Sequence, residues 1–310
     1  MYNQDLRKQL PLFYRFFAKF CVIQSQHTDR ILGGEFVLLI VIWVSRILGF
    51  RKTIPLEVDK HVVFLNLQDP RFLTVPNELT NKDALPAKLT NFLSKGDTFI
   101  DVGANHGVFS IVASDLVGID GLIVTIEPQP QLAQLVEHSL AANAKAPYQV
   151  HRIACTDEEG STEFFIPTTT SGSAGRFSSF SALGSHRKLR VPMKRFDEAV
   201  DWKKFPGQKF IKLDVEGSEL MFLRGAASMI RAINPPILLE INPSAMKAAG
   251  VSGGDLISTL SNFGYQFFIS SRNILEDKPL DRVDMSSHQN IIVSTTRLHL
   301  NEGLAQYRDS

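Results

Sequence analysis

Lys212, Asp214 and Glu216 alternate in the run KLDVEG, and Glu240 closes a later apolar run, ILLE. Alternate residues of an extended backbone point to one side, so the lysine and the two carboxylates would share one crevice. Carboxylates so placed can orient a hydroxyl and take its proton, which makes Asp214 and Glu216 the candidate catalytic residues. With Glu240 they also form an oxygen-rich set of the kind a divalent cation takes. The acid-base reading of Asp214 and Glu216 is the favoured one, and it assigns no metal. Gly217 lets the chain turn into SELMFLRGAASMI, which has helical periodicity, with Glu219 near the start where negative charge is favoured. A competing reading has Glu216 capping that helix and Lys212 pairing with a nearby carboxylate.

The second chemical segment is FIDVGANHGVFS, Phe99 to Ser110. A hydrophobic strand ends at Asp101 and passes through Gly103, Asn105 and Gly107 into an amphipathic helix. Glycines permit a sharp turn and a close approach of backbone to ligand, so a nucleoside-bearing molecule could lie across the strand ends. Asp101 would repel a pyrophosphate but attract an ammonium group, directly or through water. That favours S-adenosylmethionine over a dinucleotide. Tight β-α turns also use glycine for purely structural reasons. The next strand, LIVTIEP, ends in Glu127, where a carboxylate can accept from both ribose hydroxyls. Asp157 follows YQVHRIAC and would either accept the adenine amino group or serve as a turn residue in DEEG.

The elements that position these groups alternate β with α: TFIDV, GVFSIVASDLV, LIVTIE, PQLAQLVEHSLAANA and YQVHRIAC, then KFIKLDV and PILLEI. Repeated β-α units with short connections call for a parallel sheet with helices on both faces. VVFLNL, from His61 onward, reads as a first strand, and a short helix is expected over Ala87 to Leu93. YQFFIS and NIIVSTT suit an antiparallel edge hairpin. Thr168 to Ser185 is a Ser/Gly/Thr-rich insert, read either as a flexible connection or as a lid over an acceptor pocket using Arg176, Phe177, Phe180 or His186. Of the eight histidines, His106 and His186 are the two expected near the site.

These residues resemble the FkbM family of S-adenosylmethionine-dependent methyltransferases over roughly Asn91 to Thr296. The resemblance is carried by FIDVGANHGVFS, IEP, RIACTDEEG, FIKLDVEGSELMFLRGA and ILLEIN. It implies a Rossmann-like α/β fold with a mainly parallel, seven-stranded sheet. It also implies methyl transfer, typically to a hydroxyl of a sugar, lipid-linked or secondary-metabolite acceptor. The cofactor-binding set is then Asp101, Gly103, Asn105, Gly107, Glu127 and Asp157. His106 departs from the small or aliphatic residue that similar proteins carry there. A nicotinamide-dependent oxidoreductase would share the glycine turn and strand-end acid, but Gly103 and Gly107 are spaced G-x-x-x-G rather than G-x-G-x-x-G. A non-catalytic binding or scaffolding protein that retains the fold is the other alternative.

Composition narrows the partners. The 310 residues hold 33 Lys plus Arg against 32 Asp plus Glu, so no whole-chain field is available to hold nucleic acid. Hydrophobic residues make up 44% and charged ones 21%, enough for a sizeable core. Cys21 and Cys155 lie far apart and form no metal-ligand pattern, which suits a reducing, cytoplasmic setting without export. Residues 1–60 are expected to form a helical, apolar extension and 61–310 the catalytic domain. Within the extension, the run Phe36 to Val44 is too short to span a bilayer. Flanking basic residues leave two readings of residues 31–52: packing on the domain, or peripheral contact with an anionic membrane.

Overall fold

The computed structural model describes residues 53–66, 69, 71, 74–167, 173–177, 186–271 and 273–297. The expected helical extension up to residue 52, its membrane-contact segment and Phe180 lie outside the described residues. A hairpin of β1 (Thr53–Val58) and β2 (His61–Asn66) comes first. It crosses the boundary expected at residue 60, because every residue of β1 pairs with β2. The hairpin is fastened to the domain by side chains. Asn143 accepts from the Val62 amide at 2.8 Å and donates to its carbonyl at 2.7 Å, and the Phe64 amide donates to Ser139 Oγ at 2.9 Å. Those bonds occupy backbone groups that a bare strand edge would offer to another chain.

After α1 (Val75–Thr80) and a 3-10 helix (Leu85–Asn91) come β3 (Thr98–Val102), α2 (Val108–Val117), β4 (Leu122–Ile126), α3 (Pro130–Asn143) and β5 (Tyr148–His151). Three short-paired strands follow: β6 (Ala154–Cys155), β7 (Gly160–Pro167) and β8 (His186–Lys194). Next are α4 (Phe196–Ala199), β9 (Lys209–Leu213), α5 (Glu219–Gly225), α6 (Ala227–Ile233), β10 (Ile237–Ile241), α7 (Pro243–Ala248) and α8 (Gly253–Asn262). The chain closes on β11 (Phe267–Ser270), β12 (Asn273–Pro279) and β13 (Gln289–Ser294).

The main sheet runs β12-β11-β13-β10-β9-β3-β4-β5. Strands β5, β4, β3, β9 and β10 are mutually parallel, and β13, β11 and β12 complete the sheet in antiparallel pairs. The sheet therefore has eight strands rather than the expected seven. The extra one is β12, whose sequence NILEDKP reads as a polar loop; it lies on an edge, where one side needs no partner and proline is tolerated. β11 and β13 are antiparallel neighbours as expected, although β12 intervenes in sequence. YQVHRIAC divides: β5 joins the main sheet, while β6 pairs with β8 in a separate three-stranded sheet.

Alternation distributes the strand residues between two cores. Ile100, Val102, Val124, Ile126, Ile211 and Leu213 face a cluster completed by Phe222, Met229 and Leu260 from α5, α6 and α8. Phe99, Ile123 and Phe210 face the other cluster, with Ile111 and Val136 from α2 and α3 and Leu56 and Val63 from the hairpin. Helices thus cover both faces, as a buried parallel sheet requires. The chain leaves β3 toward β4 and β5, then returns to lay β9 on the opposite side of β3. This reversal opens a crevice at the carboxyl ends of β3 and β9, where ligands bind in such folds.

Gly225 brings α5 against β6 so closely that a Cβ would stand 1.9 Å from the Thr156 carbonyl oxygen. At Gly254 in α8 the nearest atom would be 3.6 Å away. Urea denaturation is expected to show Gly225→Ala costing at least ~1–3 kcal/mol. Gly254→Ala should be neutral or stabilising by up to ~1 kcal/mol. Equal effects would contradict the packing described.

Candidate active site

The turn after β3 is built from left-handed backbone: Gly103 at φ 80°, Asn105 at 53° and Gly107 at 75°. At Gly103 the reason is contact, since a Cβ there would lie 1.8 Å from the carbonyl oxygen of Asp214 in the loop after β9. The two chemical loops therefore touch through backbone, and no other residue type fits. Gly107 closes the turn as the residue preceding α2.

Glu127, just past β4, is clamped by both neighbouring loops. One carboxylate oxygen accepts the Asn105 amide at 2.8 Å and the other the Gln129 amide at 2.9 Å. Each oxygen keeps a further lone pair for a ligand hydroxyl. Burial pushes its pKa up to about 7, against the pull of those two amides. Gly103, Asn105 and Glu127 line a cleft of about 220 Å³ whose other walls include Ile153, Cys155, Thr156, Phe164, Lys212, Asp214, Glu216 and Glu240.

Lys212 joins the two loops. Its ammonium donates to the Gly103 carbonyl at 2.7 Å and stands 3.2 Å from Asp214 and 3.6 Å from Asp101. The Phe109 ring lies 5.5 Å away on another side. Burial disfavours the charge, but the fields of Asp214 and Asp101 prevail and hold its pKa above the ordinary lysine value. Asp101 is wholly buried, accepts Ser110 Oγ at 2.7 Å and stands off the cleft lining, behind Lys212.

On the opposite wall the carboxylate oxygens of Asp214, Glu216 and Glu240 lie within 4.8 Å of one another. Glu216 adopts φ 50°, and Asn242 Nδ2 donates to it at 2.9 Å. Gly217, at φ 95°, passes so near α7 that a Cβ would meet the Ala245 carbonyl at 2.6 Å. Glu216 does not cap α5. Glu219 performs the local satisfaction instead, accepting the amides of Val215 at 3.1 Å and Gly217 at 3.2 Å from a buried position. Burial, then the neighbouring carboxylates, raise Glu216 to about 8 and Glu240 to about 10. His288 Nε2 lies 2.8 Å from Glu240. The three oxygens could hold a divalent cation, but the Lys212 ammonium beside Asp214 already supplies positive charge there.

Two other expected residues stand apart. Asp157 is absent from the lining, and its carboxylate lies 3.7 Å from Arg224. The preceding Cys155 and Thr156 take that wall, because β6 pairs away from the main sheet and carries Asp157 past the cleft. The Cys155 thiol, pushed by burial up to about 12, is inert. His106 is fully buried behind the glycine turn with its Nδ1 at Asn105 Oδ1, and desolvation lowers it to about 4. His186 stacks edge-on with Phe165 and does not line the cleft. Arg176 does line it. Arg71 and Glu78 line it too, linked at 2.6 and 3.0 Å, and sequence reasoning missed both. Nothing in their spacing connects them to the glycine loop.

The strand order and the cleft at its switch point define a Rossmann-like fold. The profile described as Methyltransferase FkbM domain matches residues 101–267, more than half of the sequence. The chain belongs to the FkbM methyltransferase family. Among solved structures it is similar to a methyltransferase FkbM from Methylobacillus flagellatus KT, at 15% identity and TM-score 0.37, over 73% of this chain and 55% of that one. The chain thus spans about half the length of that protein. It is also similar to a SAM-dependent O-methyltransferase from Thermotoga maritima (12% identity, TM-score 0.36, 73% and 72% covered). A SAM dependent methyltransferase from Aquifex aeolicus gives 13% identity, TM-score 0.38, and 74% and 94% covered. No curated protein matches the chain.

Glu216 and Glu240 ionise near the ordinary carboxylate value of 4.5 when unfolded but at about 8 and 10 when folded. The folded state therefore binds more protons between these limits, and their contribution to stability falls as pH rises through that window. Glu240→Gln, which keeps a neutral side chain, should melt above the wild type at pH 8 and show a flatter decline from pH 6 to 9. A variant that melts lower at pH 8 than at pH 6 by the wild-type amount would contradict the burial account.

Proposed function

We propose that the chain is an S-adenosylmethionine-dependent O-methyltransferase acting on a hydroxyl of a small-molecule, glycan or lipid-linked acceptor. The observation that carries this reading is the backbone contact of Gly103 with Asp214. It supports the reading because the glycine turn and the Asp214 carboxylate then border one cleft. The residues present fit the cofactor. Glu127 has lone pairs for a ribose diol, Ile153 and Phe164 offer apolar walls to a base, and the glycine turn admits close approach. When bound, S-adenosylmethionine supplies an electrophilic methyl carbon on a sulfonium.

The chain's own work is alignment and proton transfer. Asp214, its side chain 35% exposed, takes the proton of the acceptor hydroxyl as the oxygen attacks. Lys212 fixes that carboxylate beside Gly103, and Glu216, held by Asn242, orients the acceptor. Ordering two reactants in one cleft can contribute ~7–11 kcal/mol and a positioned base about 10²–10⁴ in rate. A nicotinamide-dependent oxidoreductase finds no counterpart for the acid wall. We also propose a cytoplasmic location without nucleic-acid partners, with residues 31–52 making any peripheral membrane contact. Among the described residues no helix is long and apolar enough to cross a membrane.

With tritiated S-adenosylmethionine and fractionated extract, Asp214→Asn is expected to lower methyl transfer at least ~100-fold. Its melting shift with S-adenosylhomocysteine should persist. Full activity in that variant would refute the base. Transfer should also survive exhaustive chelation; a tenfold loss restored by magnesium would replace the proton-transfer role with metal binding at Asp214, Glu216 and Glu240.

A further inference from the structure

Among the described residues three cations line the cleft, and two are already engaged. Arg71 is held by both oxygens of Glu78, and Lys212 by Gly103, Asp214 and Asp101. Arg176 has no acidic partner among the described residues. Its Nη1 faces the Met221 sulfur at 3.7 Å, its guanidinium lies 5.8 Å from the Phe177 ring, and its buried Nε has no hydrogen-bond partner among the described residues. A half-buried guanidinium with an unmet donor is costly, and its planar fork matches a carboxylate or phosphate.

The backbone holds Arg176 in place. Phe165 and Gly175 exchange amide bonds at 2.8 and 3.1 Å, tying this segment to β7. A Cβ on Gly175 would stand 3.2 Å from the Glu216 carbonyl oxygen, so the arginine is anchored beside the acid wall. Between His186 and Arg195 the chain carries Arg187, Lys188, Arg190, Lys194 and Arg195 with no acid. Lys188 pairs with Glu163 and Arg195 approaches Glu198, leaving a net positive strand to steer anions.

We propose that the methyl acceptor carries an anionic group, carboxylate or phosphate, which Arg176 binds while the acceptor hydroxyl lies at Asp214. This rests on the methyltransferase reading above and names the acceptor class for that same site. The test uses the full chain saturated with S-adenosylhomocysteine, titrated with sodium phosphate or sodium acetate against chloride at constant ionic strength, and read by melting temperature. Phosphate or acetate should raise the wild-type melting temperature with a midpoint on the order of millimolar, and the stronger of the two identifies the group. Arg176→Gln should weaken that response at least tenfold yet bind S-adenosylhomocysteine within about twofold of wild type, and Arg176→Lys should restore part of it. No anion-specific shift, or an equal shift in Arg176→Gln, would overturn the proposal. So would loss of S-adenosylhomocysteine binding in Arg176→Gln, which would assign the arginine to the cofactor's carboxylate. If the wild type itself fails to bind S-adenosylhomocysteine, the methyltransferase reading falls and this proposal with it.

Discussion

A buried ammonium group, that of Lys212, holds the site together. It leaves β9 opposite Asp101 on β3 and reaches the carbonyl of Gly103, so one side chain spans the two strands that border the crevice. Removing it would leave the wholly buried Asp101 uncompensated in a low-dielectric setting, a change that typically costs several kcal/mol. The same contact fixes how far apart the glycine turn and the acid wall can be. A Cβ at Gly103 and a longer gap at Lys212 are therefore excluded by one constraint.

The rest of the fold serves that junction. Two apolar clusters clamp the sheet from both faces, with strand residues alternating between them. The β1–β2 hairpin, bonded to α3, closes one side and leads the chain toward Arg71 and Glu78 at the cleft rim. The small β6-β8-β7 sheet closes the other and brings Phe164 and Arg176. The acids divide their labour by burial. Glu219 and Asp101 satisfy the scaffold, Glu127 accepts two backbone amides at the cleft wall, and Asp214 stays partly open to solvent.

Much of this was legible in the residues. The parallel sheet followed from β-α alternation, and the glycine turn, Glu127, Asp214 and Glu216, which line one cleft, stood out because strand ends and acids coincide in sequence. What could not be read depended on distant segments meeting. Asp157, read either as an acceptor for the adenine amino group or as a turn residue, stands off the cleft lining because YQVHRIAC divides between two sheets. Asp101 lies at a strand end, as a ligand group should, yet its partner is a lysine more than a hundred residues onward. Strand β12 was hidden by its polarity, since edge strands need not be apolar. Arg71 and Glu78 come from a segment with no motif, and the fold brings them to the cleft that Asn105 also lines.

The central claim is that Glu127, clamped between two loops, anchors a nucleoside in the crevice beside Lys212. Isothermal titration of the purified chain with S-adenosylhomocysteine tests it most directly. The account predicts one molecule bound per chain, an affinity at least tenfold weaker in Glu127→Gln, and an unchanged affinity in Asp157→Asn. Absence of binding by the wild type, or a loss in Asp157→Asn as large as that in Glu127→Gln, would contradict it.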